Sequence, residues 1–210
     1  MTCGHKLKWY DLVPLVSYLT LGGKCRYCKT KISKQYPVIE FTNGVLYGIL
    51  VVVNGFNIST ILFCLCSSAL LALSVIDWRT FEIPIAFNIF IGILGIIRLL
   101  TDLEHWYVYI IGFFAVSGFL YLLFLITKGR GIGGGDIKLM AAAGLLIGWK
   151  NIILALGIGC VLGSIIHIIL MKVQNKERVL AFGPYLSLGI YIAMLYGNQI
   201  IEWYINTFIY

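Results

Sequence analysis

The sequence predicts an all-α, polytopic membrane bundle of about seven transmembrane helices with a small cytoplasmic N-terminal cap. Three observations point there. Hydrophobic residues make up 60% of the chain and charged residues 12%. The mean hydropathy is +0.93. Beyond Glu40 the chain divides into apolar runs of about the length a helix needs to cross a bilayer, near 20 residues. A soluble domain carries roughly a quarter charged residues, and a chain of 210 residues leaves too much surface facing water to hide this apolar content.

In order, the runs predict spans near 38–54, 57–76, 83–100, 107–127, 137–149, 151–171 and 181–206. The fifth is short and opens on a run of glycines. Fourteen of the 16 basic residues fall in the N-terminal stretch or in alternate links, around Arg79, Lys128 to Lys138 and Lys172 to Arg178. Only Arg98 and Lys150 fall on the other side. Cytoplasmic loops keep the excess of Lys and Arg, so the N-terminus is predicted inside and the C-terminus outside. An odd number of spans agrees with that. The net charge of +7 is therefore a topology signal; the basic residues are not interleaved with aromatics on one face, and no nucleic acid is expected as a partner. The partner implied is the lipid bilayer.

Residues 1–36 are the only stretch able to form a soluble lobe, and residues 37–210 form the membrane domain. The start, MTCGHKLKWYD, is polar, so no cleavable signal peptide is expected. Cys64, Cys66 and Cys160 lie in apolar runs and read as small packed side chains. Cys3, Cys25 and Cys28 lie in polar sequence, where a reducing cytoplasm favours metal ligation over a disulfide. His167 reads as a hydrogen-bonded residue within an apolar helix. Glu40 reads as an interfacial support for the cap. Gly183 and Pro184 open the last span and either line a substrate cleft or follow ordinary helix-start usage.

Two acidic residues carry the chemistry. Carboxylates at membrane depth are costly and mark function where they cannot reach water. Asp77 ends the run LLALSVID before a turn to Ile83 and Pro84. Asp136 follows Gly133, Gly134 and Gly135 and opens the fifth span. The loop charges place both at the same face. Two carboxyls sharing one proton can hydrolyse an amide, one accepting a proton from water while the other donates to the scissile carbonyl. The glycines allow the backbone at Asp136 to approach another helix or an extended substrate. The plainer readings are an Asp77–Arg79 pair at the interface and an Asp136 that caps a helix start. A third, functional alternative is a small proton- or cation-coupled transporter using the same aspartates; transport carboxylates, however, sit near the midplane in broken helices, whereas these fall at one interface.

With IDWRTFEIP and GGGDIKLM in hand, the chain resembles the bacterial type IV prepilin leader peptidases, membrane aspartyl peptidases of the G-x-G-D type. The N-terminal CGHKLKWYDLVPLVSYLTLGGKCRYCKTKISKQYPVIE and the late FGPYLSLG extend the resemblance over nearly the whole chain. It implies an aspartic endopeptidase, with Asp77 and Asp136 catalytic and Gly133, Gly134 and Gly135 forming the active-site backbone. The implied substrates are prepilins or pseudopilins of type IV pilus, type II secretion or competence systems, cut after a short basic leader at the cytoplasmic face of the bacterial inner membrane. Glu82 is the nearby acid that could attract such a leader. In the bacterial branch the same enzyme methylates the new N-terminus with S-adenosylmethionine, and no residue here is assigned to that step.

The family's cap carries two C-x-x-C pairs, suited to structural zinc. Here Cys25 and Cys28 form one pair and Cys3 is all that stands of the other. Cys3, Cys25 and Cys28 are thus the candidate ligands, with the fourth missing. The fourth cysteine and the family's usual first span would lie before Met1, and a truncated start is expected; the alternative is a short form completed by His5 or water.

Overall fold

The computed structural model describes residues 4–6, 8, 11, 13, 16–129, 131–174 and 181–208. Among them no strand forms beyond an isolated antiparallel bridge between Lys24 and Lys31. A short helix, α1 (Val16–Thr20), precedes seven long ones: α2 (Gln35–Asn54), α3 (Ile58–Thr80), α4 (Ile85–Thr101), α5 (Trp106–Ile126), α6 (Gly134–Ile147), α7 (Trp149–Gln174) and α8 (Gly183–Phe208). Each of the seven predicted segments falls on one of these. Among the described residues four stretches are long and apolar enough to cross a membrane by length and composition: α2, α3, Leu103–Ile126 and Trp149–Lys172. The protein is thus an all-helical membrane bundle.

Local sequence sets the helix ends. Asn57 sits in an extended conformation before α3 and its side chain accepts the Thr60 N–H, an N-cap that turns the chain straight back after α2. Phe81 closes α3 in the left-handed region, φ 56°, with its N–H on the Asp77 carbonyl. Pro84 then opens α4. This moves one predicted boundary: α3 continues to Thr80, so Asp77 lies inside its last turn, with one face packed, rather than at the end of the span.

The core is built around α6. Every residue from Leu139 to Ile147 is buried, although the helix has only 14 residues, about 21 Å at 1.5 Å per residue. Small residues let its neighbours close on it. A Cβ on Gly144 would overlap the Gly112 carbonyl of α5, and one on Gly112 would overlap that of Gly144. On α4, a Cβ at Gly95 would lie 2.9 Å from the Leu145 side chain. Lipid supplies no hydrophobic drive between helices, so close backbone contact and interhelical hydrogen bonds do that work. The outer helix α2 uses the second device. Among its residues only Leu50 is buried, and it is tied on by Tyr47 Oη to Ser68 Oγ at 2.7 Å, by Ser68 Oγ to Asn43 Oδ1 at 2.9 Å, and by Tyr191 Oη donating to the Leu46 carbonyl at 2.9 Å. Exposed side chains such as Val52, Phe90 and Phe114 face outward, as a lipid-facing surface requires.

Gly144→Val is expected to force α5 from α6 and to destabilise the bundle by about 2 kcal/mol or more. The check is the detergent midpoint of unfolding; Gly118→Val, where a Cβ meets nothing within 4 Å, is the control and is expected to leave it nearly unchanged.

Candidate active site

Alternating helix direction brings the C-terminal end of α3, the start of α6, the C-terminal end of α7 and the start of α8 to one end of the bundle. Asp77 comes from α3 and Asp136 from α6, and both are buried, at 4% and 9% exposure. They line the same cavity, of about 620 Å³.

The plainer role for Asp77 is not what the structure shows. Arg79 donates from Nη2 to Gln35 Oε1 at 2.6 Å, so it turns away to the cap side of α2 and not to Asp77. Residues two apart on a helix do not face each other, which is why that pair fails. The N-cap of α6 is Gly133, so Asp136 is the third residue of the helix rather than its N-cap, and its carboxyl folds back against the Gly133 backbone.

Asp77 is held from another direction. Gly183, the first residue of α8, donates its backbone N–H to Asp77 Oδ2 at 2.9 Å. A Cβ on Gly183 would stand 2.6 Å from that oxygen, so the approach requires glycine. Of the three predicted glycines, Gly133 lines the cavity, and a Cβ there would stand 2.9 Å from Asp136 Oδ2. At Gly135 a Cβ would stand 2.9 Å from the Ile83 side chain, so this glycine sets the packing of α6 on the α3–α4 link. A Cβ at Gly134 meets nothing within 4 Å.

The cavity walls are mostly apolar: Phe119, Leu120 and Leu123 of α5, Leu156 of α7, Phe182 ahead of α8 and Ile132 of the glycine loop. Cys160 and His167 also line it. A Cβ on Gly163 would touch Phe182 at 3.4 Å, which puts Gly163 of α7 near the level of Gly183. His167 is one turn nearer the bundle end, about 6 Å along α7, and Leu156 lies about two turns deeper. Two carboxyls over an apolar groove can hold a water between them and move protons to and from a bound amide.

Residues 1–54 match the Bacterial Peptidase A24 N-terminal domain, and residues 64–168 match the Type IV leader peptidase family. The prepilin leader peptidase/N-methyltransferase of Pseudomonas aeruginosa is 33% identical over 97% of this chain and 73% of its own length. The protein of that name from Aeromonas salmonicida is 32% identical over 98% of this chain and 73% of its own length. The chain belongs to the type IV leader peptidase family. Family membership makes it a peptidase, and nothing in these matches favours transport. A Burkholderia pseudomallei relative is 34% identical over 93% of this chain and 66% of its own length. No solved structure gives a significant match.

The family's N-terminal match covers the cap. Cys25 and Cys28 sit on a tight loop closed by the Cys25 N–H on the Thr30 carbonyl at 2.9 Å and the Lys29 N–H on the Cys25 carbonyl at 3.1 Å. Cys28 Sγ donates to Thr30 Oγ1 at 3.2 Å. His5 stacks on Tyr27 of the same loop, with ring centroids 4.7 Å apart. Cys3 lies outside the described residues. Among the described residues no group of three His, Cys, Asp or Glu side chains could hold a metal, and two thiols fall short of the four ligands of a structural zinc site. The described residues therefore do not fit zinc.

Sequence reasoning left three features of the site undrawn. Gly183 was read as lining a cleft or as ordinary helix-start usage, and its bond to Asp77 was not drawn, because that partner is 106 residues away. His167 lines the cavity and makes no hydrogen bond to the described residues. Cys160 is exposed to the same space, whereas Cys64 and Cys66 are packed as expected. The positions 156, 160 and 167 form one stripe of α7, but their mixed chemistry hides the stripe from a hydropathy pattern. In variants retaining one cysteine, Cys160 is expected to react with a small charged methanethiosulfonate roughly tenfold or more faster than Cys66. Mass spectrometry of the labelled chain measures this.

Proposed function

We propose that the chain is a prepilin leader peptidase, an aspartyl endopeptidase of the bacterial inner membrane. It cuts prepilins or pseudopilins between a basic leader and the apolar helix that follows, at the cytoplasmic face. The observation that carries this reading is the placement of two buried carboxyls, Asp77 from α3 and Asp136 from α6, on one cavity with apolar walls. The names of the relatives agree with it.

In this reading the water lies between the two carboxyls. Asp77, oriented by the Gly183 N–H, takes a proton from the water as its oxygen bonds to the scissile carbonyl carbon. Asp136 gives its proton to the carbonyl oxygen. As the tetrahedral intermediate collapses, a proton passes to the amide nitrogen, the C–N bond breaks, and the pair returns to one shared proton. The bond must leave helical geometry to be attacked, and the glycine-lined entrance beside Gly133 gives an extended backbone room. Phe119, Leu123 and Leu156 accept the apolar residues beyond the cut.

The same reading takes the seven long helices as seven spans, with the N-terminus cytoplasmic and the C-terminus outside. It rests there on the loop charges and on the aspartates sharing the basic end. Residues 1–36 form the cap and residues 37–210 the peptidase. Methylation of the new N-terminal amine, with S-adenosylmethionine as donor, follows from the name the relatives carry; no residue of this chain is assigned to it, and no step depends on zinc.

The test is co-expression with a candidate prepilin and measurement of the cleavage rate. Asp77→Asn and Asp136→Asn are each expected to lower it by at least about 100-fold while the protein still inserts. Cleavage persisting in either inserted variant would sink the mechanism. Gly183→Ala retains both carboxyls but displaces that of Asp77, and a loss of roughly tenfold or more is expected.

A further inference from the structure

A second cavity, of about 490 Å³, opens at the other end of the bundle from the aspartates. It lies among the α2–α3, α4–α5 and α6–α7 turns and the side of α8. The peptidase reading makes no use of it. Its floor is Leu146 and Ile147, where α6 stops short, so the recess is sunk below the ends of the longer helices.

The charges in it are arranged around Arg98. The guanidinium donates to Ser59 Oγ and lies over the Tyr109 ring, 5.6 Å from its centroid. A guanidinium carries five N–H donors, more than these neighbours take up. Asp102 accepts from Tyr109 Oη at 2.7 Å and from His105 Nδ1 at 3.0 Å, so both its oxygens are engaged inside the protein. The Tyr109 and His105 hydrogen bonds hold the Asp102 carboxyl below the usual range. Arg98 and His105 thus flank a single carboxylate, Asp102, whose oxygens are already engaged.

Two polar atoms lining it are buried without partners. Thr60 Oγ1 belongs to a side chain 1% exposed. Asn151 Oδ1 is the other, while its Nδ2 donates to the Ile147 carbonyl at 3.1 Å and to Asn198 Oδ1 at 3.4 Å. Unpaired buried groups are expensive and are ordinarily satisfied by something bound. At the same end Trp106, Tyr107, Trp203 and Tyr204 are exposed, the residues that mark the headgroup level of a bilayer.

We propose that this cavity binds the phosphate-bearing head of a membrane lipid from the adjoining leaflet. Arg98 and His105 take the phosphate oxygens, Thr60 donates from the wall, and Asn151 accepts from a donor on the head such as an ammonium or hydroxyl. A lipid held here fills the space that the short α6 leaves in that leaflet.

The full chain, purified in mild detergent, would be titrated with a short-chain phosphatidylethanolamine and followed by native mass spectrometry. A saturable one-to-one adduct is expected. Arg98→Gln is expected to weaken it about tenfold, and Thr60→Val, nearly isosteric, about threefold. Lys150→Gln, at the same end but outside the cavity, should bind as the parent does. A matched diacylglycerol without phosphate is expected not to compete. Should Arg98→Gln fail to fold, Thr60→Val and the diacylglycerol competition decide. Equal binding by the diacylglycerol, unchanged affinity in Thr60→Val, or displacement by inorganic phosphate at matched concentration, which would make this a free-anion site, would each overturn the proposal.

Discussion

The hydrogen bond from the Gly183 amide to Asp77 is the constraint on which the arrangement of the site depends. It joins the end of α3 to the start of α8 inside a low-dielectric region, where a carboxylate needs a donor and where few are offered. The donor is a main-chain N–H at a helix start, and among the described residues no basic side chain pairs with Asp77, which also lines the cavity. Asp136 reaches the same space from α6, so the positions of three helices decide whether the two carboxyls meet.

Those positions follow from close backbone contacts. The mutual approach of Gly112 and Gly144 sets α5 against α6, and Gly95 against Leu145 sets α4. On the other side, a Cβ at Gly189 would overlap the Ala155 carbonyl, which locks α8 against α7 and so places Gly183. α6 is short because Gly148 ends it at φ 81°, and full burial from Leu139 onward makes it the piece around which the others are ordered. The unused length appears as a cavity at each end of the bundle, one acidic over apolar walls and one built around Arg98 at the level of the aromatic belt.

Much of this was legible in the sequence, for physical reasons that can be named. Apolar runs near bilayer length placed all seven long helices, since every backbone polar group in lipid must be bonded within its own helix. The loop charges put Asp77 and Asp136 at one end, and the glycines before Asp136 announced a close approach, realised at Gly133 and Gly135 and not at Gly134. Contacts between distant parts of the chain were not legible. Gly183 left cleft lining and helix grammar undecided, and His167 looked like packing, because nothing local records which helix faces which. The pairing of Asp77 with Arg79 was suggested by sequence proximity and undone by helical geometry, which sends Arg79 to Gln35. The cap remains a pair of thiols on one loop, short of a zinc site among the described residues.

The claim that the rest stands on is that residues 77 and 136 face each other across one cavity. In a variant whose native cysteines are replaced by serine, Asp77→Cys and Asp136→Cys together should be joined by a short bifunctional thiol reagent, detected as a linked peptide by mass spectrometry after digestion. Near-complete linkage is the predicted result. Two cysteines that each react with the reagent singly but do not link in the inserted protein would contradict the account.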